Sequence, residues 1–239
     1  RATESGDPEA ETALGVLHVQ GRGVPTDYAR AEELFRRAAD RGYAPGCVQL
    51  GHLYFEGHGS GRNADEALRW YRAAAEAGHL EAQLILARNF LRGRGVPKDE
   101  AAAAEWFRKA ADGGYPGAQF QLAVMYCTGQ GVPRDTTEGT RWYQRAAEQG
   151  DRYAQYNLAV MLNKGDGIEE DASKALEWAT KAAEQGLTEA QIILGDFYAT
   201  GRGTERREST ARGWYEKAAA QGSAAASAKL AHLDAPGTA

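Results

Sequence analysis

Residues 115–150 read YPGAQFQLAVMYCTGQGVPRDTTEGTRWYQRAAEQG, and the pattern of this stretch returns along the whole chain. The tryptophans recur at intervals of 36 residues, at Trp70, Trp106, Trp142, Trp178 and Trp214. A glycine recurs at the same interval, at Gly42, Gly78, Gly114, Gly150, Gly186 and Gly222. An ordinary globular core imposes no such period, so the chain is an array of repeats.

Cutting the sequence after these glycines divides most of the chain into six gapless repeats, at 7–42, 43–78, 79–114, 115–150, 151–186 and 187–222. A shorter apolar and alanine-rich segment at 223–233 is predicted to be a capping half-repeat. The remaining residues are predicted to be tails, at 1–6 and 234–239.

Each repeat is predicted to contain two helices. In the fourth repeat Ala118, Leu122 and Met125 have the spacing of one helical stripe, and this helix A ends at a Gly-x-Gly pair that can close its last turn. Helix B then begins after a residue type that caps helix N-termini, at Asp27, Asn63, Asp99, Asp135 and Asp171. A single hairpin cannot bury its apolar face, so the repeats must stack. The sequence therefore predicts an all-α fold, a right-handed α-solenoid of helix-turn-helix repeats.

The pattern Leu-Gly-x-x-Tyr…Gly-x-Gly-Val-x-x-Asp…Ala-x-x-Trp-Tyr-x-x-Ala-Ala-x-x-Gly resembles the Sel1-like repeat, a relative of the tetratricopeptide repeat. The resemblance implies a curved superhelix that serves as an adaptor in protein complexes. It also favours an exported or periplasmic location in a bacterium, while a cytoplasmic location stays open.

One cysteine-rich branch of that family is described as binding or hydrolysing β-lactams. This branch supplies the alternative prediction, a binder or hydrolase of a small cell-wall or β-lactam ligand. The chain departs from the branch, because its two cysteines, Cys47 and Cys127, lie two repeats apart and too far from each other for a disulfide.

Composition and motifs exclude several classes of function. A net charge of -5 and a pI of about 5.6 argue against nucleic acid as a partner. No apolar stretch is long enough for direct membrane insertion. None of the five histidines has the sequence context of a metal ligand, and the Ser-x-x-Lys nucleophile motif is absent. We therefore predict no cofactor, no metal and no enzymatic activity.

Basic residues recur on helix B and could suggest a nucleic-acid stripe. They follow acidic residues at i,i+4 spacing, which favours a solvated outer face laced with ion pairs. The predicted pairs are Glu33–Arg37, Glu105–Lys109 and Glu177–Lys181. The tryptophans and the aromatic residues that follow them are predicted to be core.

The repeats differ most along one stripe of helix A, formed by positions 3, 6, 10 and 13 of each repeat. By similarity to tetratricopeptide repeats, this stripe lines the concave surface. An alternative is that position 6 only packs against the neighbouring repeat. We predict a non-enzymatic scaffold that binds a protein or peptide partner on this face, through His52, Phe55, Leu84, Arg88, Leu91, Arg92, Phe120, Val124, Tyr153, Tyr156, Val160 and Asp196.

Overall fold

The computed structural model describes residues 6–234, and this part of the chain forms thirteen α-helices and no strand. Of the predicted tails, only Gly6 and Asp234 lie within the described residues. The all-α solenoid class is confirmed. The helices are α1 (Pro8–Gln20), α2 (Tyr28–Asp40), α3 (Ala44–Glu56), α4 (Ala64–Glu76), α5 (Leu80–Arg92), α6 (Glu100–Asp112), α7 (Pro116–Thr128), α8 (Thr136–Glu148), α9 (Arg152–Lys164), α10 (Ala172–Glu184), α11 (Thr188–Thr200), α12 (Glu208–Ala220) and α13 (Ala224–Asp234).

The odd-numbered helices α1 to α11 are the A helices, and the even-numbered helices are the B helices. Each B helix of the first five repeats begins at a side-chain cap, as predicted. For example, Asp135 Oδ1 accepts a hydrogen bond from the Glu138 N–H at 2.9 Å. In the sixth repeat Arg207 occupies the cap position and makes no such bond.

Glycine ends both helices of a hairpin. Gly93 closes α5 with φ at +67° and donates its N–H to the Asn89 carbonyl. Gly150 follows α8 with φ at +91°. Residues with a Cβ rarely adopt this left-handed conformation, so these positions favour glycine. The periodic glycines thus act as helix ends, which agrees with the predicted hairpin closures.

The helices form two compact bodies, Arg1–Tyr115 and Pro116–Ala239. The N-terminal body holds repeats one to three and the C-terminal body holds repeats four to six with α13. Within each body an A helix packs against the B helix of its own repeat, and that B helix packs against the next A helix. Each body is therefore a stack of hairpins in which every repeat completes the burial of its neighbour.

A glycine in the A helix allows the two helices of a hairpin to approach closely. A Cβ added at Gly51 would lie 2.6 Å from Cε1 of Tyr71 in the paired B helix. Gly195 has the same relation to Tyr215, at 2.4 Å. Both tyrosine rings are buried. The Leu-Gly-x-x-Tyr motif therefore includes glycine because the aromatic ring of helix B lies against that backbone.

A column of buried glutamines links successive repeats, and sequence analysis did not predict it. Gln155 donates through Nε2 to the carbonyl of Ala147 at 3.1 Å, and its Oε1 accepts a hydrogen bond from Gln185 at 2.8 Å. Gln191 repeats both bonds, to Ala183 and from Gln221. The glutamine in helix A thus satisfies a carbonyl near the end of the preceding helix B, where backbone acceptors lack helical partners.

In the first and third repeats the residue at the glutamine position makes different contacts. Glu11 in α1 is fully buried, and its carboxylate forms ion pairs with Arg37 and with Arg41, the latter at 2.9 Å. Gln83 donates to Ala75, but its Oε1 has no partner. The repeat position that supplies Gln185 and Gln221 is occupied in that repeat by a glycine.

The tryptophans lie nearer the surface than predicted. Only Trp142 is buried, at 4% exposed, and the other four are partly exposed. In the second repeat Arg69 lies over Trp70. In the third to sixth repeats the B-helix cation three residues further on covers the ring, as where Lys109 Nζ lies 3.9 Å from the centroid of Trp106. This cation–π contact forms instead of the predicted i,i+4 ion pairs of Lys109 and Lys181, while Arg37 binds Glu11. The basic residues therefore shield the outer edge of the core.

Glu32 of α2 holds the loop between α3 and α4. Its carboxylate accepts hydrogen bonds from the Ser60 N–H at 2.8 Å, the Ser60 hydroxyl at 3.0 Å and the Tyr54 hydroxyl at 3.1 Å, and it pairs with Arg36 at 2.9 Å. Burial alone would raise the pKa of Glu32, but these hydrogen bonds and the charge of Arg36 outweigh it, so the pKa lies below its ordinary value.

The lowered pKa of Glu32 predicts a pH-dependent contribution to stability. A carboxyl whose pKa is lower in the folded state stabilises the fold above its unfolded pKa of about 4.3, and this stabilisation is lost as the pH falls through the folded value. Urea melts of Glu32→Gln should therefore show a deficit at pH 7 that shrinks below about pH 4. Glu33→Gln, at an exposed neighbour, is the control. A deficit for Glu32→Gln that stays constant with pH would contradict the assignment.

The glutamine column predicts unequal costs for one substitution. Gln155→Leu removes two hydrogen bonds, whereas Gln83→Leu removes one and also deletes a buried oxygen that has no partner. We expect Gln155→Leu to lower the free energy of unfolding by about 1 kcal/mol more than Gln83→Leu does. Denaturant melts of the two variants measure the difference, and equal costs would show that the column contributes only packing.

Candidate functional site

In the N-terminal body the predicted stripe follows α3 and α5. His52 and Phe55 are half-buried on α3, while Arg88 and Arg92 are exposed on α5. Leu91, on the same helix, is half-buried. The stripe therefore carries a cationic edge beside an apolar surface in this body.

Leu84 does not belong to that accessible surface. Its side chain is 3% exposed, and Val48, at the same repeat position, is 1% exposed. Both side chains pack inside the N-terminal body. At these two repeats position 6 therefore belongs to the core, in agreement with the alternative interpretation of that position.

A pocket of about 210 Å³ opens between these two A helices. Its apolar wall is formed by Phe55 and Ile85, and its polar rim is dominated by arginine. Tyr71 of α4 supports the wall and forms a hydrogen bond at 2.9 Å between its hydroxyl and Nδ1 of His52. The full lining is His52, Phe55, Tyr71, Ile85, Arg88, Asn89, Arg92 and Arg94.

Four of the residues around this pocket were missed by sequence analysis, namely Tyr71, Ile85, Asn89 and Arg94. Asn89 is the most informative of them, because its side chain is 7% exposed and its Nδ2 has no hydrogen-bond partner. It stands at repeat position 11, which lies inside the buried stripe and was therefore assigned to the core. The sequence signal that could have identified Asn89 is a polar residue at a repeat position that is apolar in the other repeats.

In the C-terminal body the stripe is mainly aromatic. Phe120 lies between Tyr143 and Tyr153, with ring centroids 5.7 Å and 6.1 Å away. Tyr153 is 46% exposed, and Arg152 lies 5.0 Å from the centroid of its ring. Phe120 itself is half-buried. Phe120 of α7 and Tyr153 of α9 thus form an aromatic cluster that the helical core leaves partly accessible, and Phe120 also contacts the buried Tyr143 of α8.

A second part of the stripe lies between α9 and α11. Tyr156 and Val160 are half-buried and line a pocket of about 340 Å³ together with Ile192. Burial, with a smaller effect of Glu189, raises the pKa of the Tyr156 hydroxyl and keeps it neutral. Asp196 closes one side of this pocket.

Asp196 is held in place by two donors. The Tyr215 hydroxyl donates to Oδ1 at 2.7 Å, and Lys229 of α13 lies 2.6 Å from the same oxygen. The Tyr71–His52 contact has the same geometry within its hairpin. Repeat position 10 is therefore buttressed by the aromatic residue of helix B, which fixes the orientation of a polar side chain on the stripe.

Position 6 behaves differently in the two bodies. In the C-terminal body Phe120, Tyr156 and Ile192 keep part of their surface accessible. The half-buried Val124, at position 10 of the fourth repeat, continues this surface. The accessible apolar side chains at position 6 are therefore those on α7, α9 and α11.

The side chains with reactive or metal-binding chemistry have structural roles. Cys47 and Cys127 are free thiols, and burial raises the pKa of each, which disfavours a reactive thiolate. His58 stacks on Tyr28 at 4.2 Å. Across residues 6–234, no group of three or more His, Cys, Asp or Glu side chains could hold a metal ion.

None of the thirteen helices combines the length and apolar character needed to cross a bilayer.

The difference between stripe and core can be measured through stability. Trp142→Ala empties a buried site and should cost about 3–5 kcal/mol. Phe120→Ala removes a half-buried ring and should cost less than half as much, because part of that ring already contacts water. Urea melts compare the two variants, and equal destabilisation would place Phe120 in the core.

Six segments match the profile of the Sel1 repeat, at 8–43, 44–79, 80–115, 116–151, 152–187 and 188–223. Each begins one residue after the corresponding repeat inferred from the glycines. Among curated proteins, none matches this sequence.

Two solved structures are similar over nearly the whole chain. One is a protective antigen present in uropathogenic Escherichia coli strains that displays an SLR fold, with 36% identity, a TM-score of 0.94 and coverage of 100% of this chain and 51% of that one. The other is a Sel1 repeat protein from Oxalobacter formigenes, with 34% identity, a TM-score of 0.77 and coverage of 95% and 66%. The chain spans about half the length of the first relative. It belongs to the Sel1 repeat family.

Proposed function

We propose that this chain is a non-enzymatic binding scaffold that holds a protein or peptide partner on the stripe of its A helices. Sel1 repeat proteins generally act as protein-interaction scaffolds. The observation that carries the proposal is the aromatic cluster of Phe120 and Tyr153, continued by Tyr156 and Val160. Large apolar side chains in such a cluster usually mark a site of interaction.

The chemistry of this surface favours a segment with apolar side chains. Tyrosine and phenylalanine supply contact area at a small cost in conformational entropy, and such residues are enriched among the anchors of protein interfaces. Arg152 of the fifth repeat and Asp196 of the adjacent sixth repeat place charges of both signs beside this surface. An amphipathic helix or an extended peptide has these properties.

The raised pKa values of Cys47 and Cys127 support the non-enzymatic part of the proposal, since a thiol nucleophile needs the opposite shift. The residues of the A-helix stripe vary from repeat to repeat, while the glycine, alanine and aromatic residues of the frame recur. This division is the one expected of a scaffold whose specificity is set by a few side chains on a fixed frame.

The test is site-specific photo-cross-linking followed by measured affinity. A photoreactive phenylalanine analogue at Phe120 or Tyr156 should capture one and the same partner, whereas the analogue at Arg141, on the exposed side of α8, should not. The captured partner should then bind the Phe120→Ala or Tyr156→Ala protein at least about thirtyfold more weakly, equivalent to about 2 kcal/mol. Arg141→Ala is the matched control and should leave affinity unchanged. Capture from Arg141 alone would contradict the proposal.

A further inference from the structure

The pocket between α3 and α5 departs from the repeat pattern at a buried position. Repeat position 11 is apolar elsewhere, with Leu53, Met125, Met161 and Phe197 all 8% exposed or less. In the third repeat the same position is Asn89, which is 7% exposed. In the first repeat the position is Leu17, which is 38% exposed. Asn89 is therefore the one polar residue in an apolar column that is buried from the second repeat to the sixth.

Asn89 lacks the partner that such a replacement requires. Its Nδ2 is buried and donates no hydrogen bond, and the side chain lines the pocket. A buried N–H group without an acceptor is unfavourable. By contrast, the half-buried Asn157 of α9 donates through Nδ2 to the Tyr153 carbonyl at 2.9 Å. The environment of Asn89 thus calls for an acceptor that the protein itself does not supply.

The charges around the pocket indicate the chemistry of that acceptor. Arg88, Arg92 and Arg94 line it and are exposed, and no carboxylate of residues 6–234 pairs with any of them. The protein as a whole has a net charge of -5, and many of its other arginines are in ion pairs. Three unpaired guanidinium groups beside an unpaired amide donor favour an anion.

The helix geometry brings these groups to one side of α5. Residues 85 and 88, and residues 89 and 92, are three apart, and the pairs 85/89 and 88/92 are four apart, so the four side chains lie along a single face of α5. Burial raises the pKa of the lining residue Tyr71, and Glu56 of α3 and Glu81 of α5 are close enough to raise it further. Neither carboxylate lines the pocket, and Glu56 lies 3.5 Å from His58. The pocket is thus cationic on the α5 side.

The apolar wall narrows the choice of anion. Phe55 and Ile85 face the pocket beside the donors, so the occupant needs a hydrocarbon part next to its charge. A glutamate side chain has both, with two methylene groups and a carboxylate. The volume of about 210 Å³ corresponds to about seven water molecules at ~30 Å³ each, which is room for one such side chain and part of its backbone.

We infer that this pocket recognises a glutamate side chain in an acidic segment of the protein partner. The carboxylate is paired with the guanidinium groups of Arg88 and Arg92, and its methylene groups lie against Phe55 and Ile85. On binding, the Asn89 side chain turns its enclosed Nδ2–H toward the carboxylate and donates to it. Further acidic residues of the segment neutralise Arg94. This inference rests on the proposed scaffold function and specifies the partner's chemistry at one site.

The experiment uses an acetylated and amidated ten-residue peptide of alternating Glu and Leu as the probe. In NMR spectra of the full chain, the side-chain amide of Asn89, assigned by its loss in Asn89→Leu, should shift on titration. A peptide with Gln in place of every Glu should cause no shift. Binding should also weaken with rising salt, since the contact is between charges. A Gln peptide with a free C-terminal carboxylate tests whether the pocket binds a chain terminus and not a side chain. If that peptide binds as well as the probe, the assignment of the pocket to a glutamate side chain is wrong.

The substitution Asn89→Leu separates recognition from structure. It restores the apolar column, so the melting temperature should rise, while the affinity for the Glu peptide should fall at least tenfold. Asn157→Leu is the matched control and should leave that affinity unchanged. For the charges, Arg88→Gln should weaken binding and Arg72→Gln, on the exposed part of α4, should not. A destabilised Asn89→Leu that still binds the peptide would show that Asn89 has only a structural role.

The two proposals can fail independently. If the peptide does not bind while cross-linking from Phe120 and Tyr156 succeeds, only the glutamate pocket is wrong. If neither Phe120 nor Tyr156 captures a partner, the scaffold function itself is contradicted.

Discussion

The structure depends on the inability of one helical hairpin to bury its own apolar face. The apolar stripe of a 13-residue helix must be buried by two neighbours. One is the other helix of its own hairpin and the second is a helix of the next hairpin. The two helices keep the same length in every repeat because an insertion within a helix would rotate its apolar stripe away from the neighbouring helices. Glycine, alanine and the capping aspartates are the residues that keep each hairpin the same length.

Once the frame is fixed, its surface divides into two parts with different chemistry. The B helices present tryptophans covered by lysine or arginine, which closes the outer edge of the core to water. The A helices present side chains that change from repeat to repeat. Two polar residues on the A helices are oriented by hydrogen bonds from tyrosines of the B helices. Tyr71 bonds to His52, and Tyr215 bonds to Asp196. The side chains on this face can therefore vary without altering the stack.

Much of the fold could be predicted from the sequence, because periodicity, caps and glycine ends are local signals. The glutamine column was missed, since Gln155 contacts Ala147 of the preceding repeat and Gln185 of its own, and no spacing rule identifies such a bond. The predicted partners of Lys109 and Lys181 were wrong because a tryptophan at i-3 competes with a glutamate at i-4. That of Arg37 was wrong because Arg37 pairs with the buried Glu11 of α1. The assignment of Leu84 to the accessible stripe failed because position 6 is covered in the N-terminal body.

The central claim is that the A helices bind the partner, while the B helices form the frame that holds the A helices in place. Hydrogen–deuterium exchange of the full chain, with and without the partner captured by cross-linking, tests this claim most directly. The account predicts slower exchange in the partner complex for A-helix segments such as 116–128 and 152–164, and unchanged exchange in the B-helix segments 136–148 and 172–184. Protection confined to the B helices would contradict it.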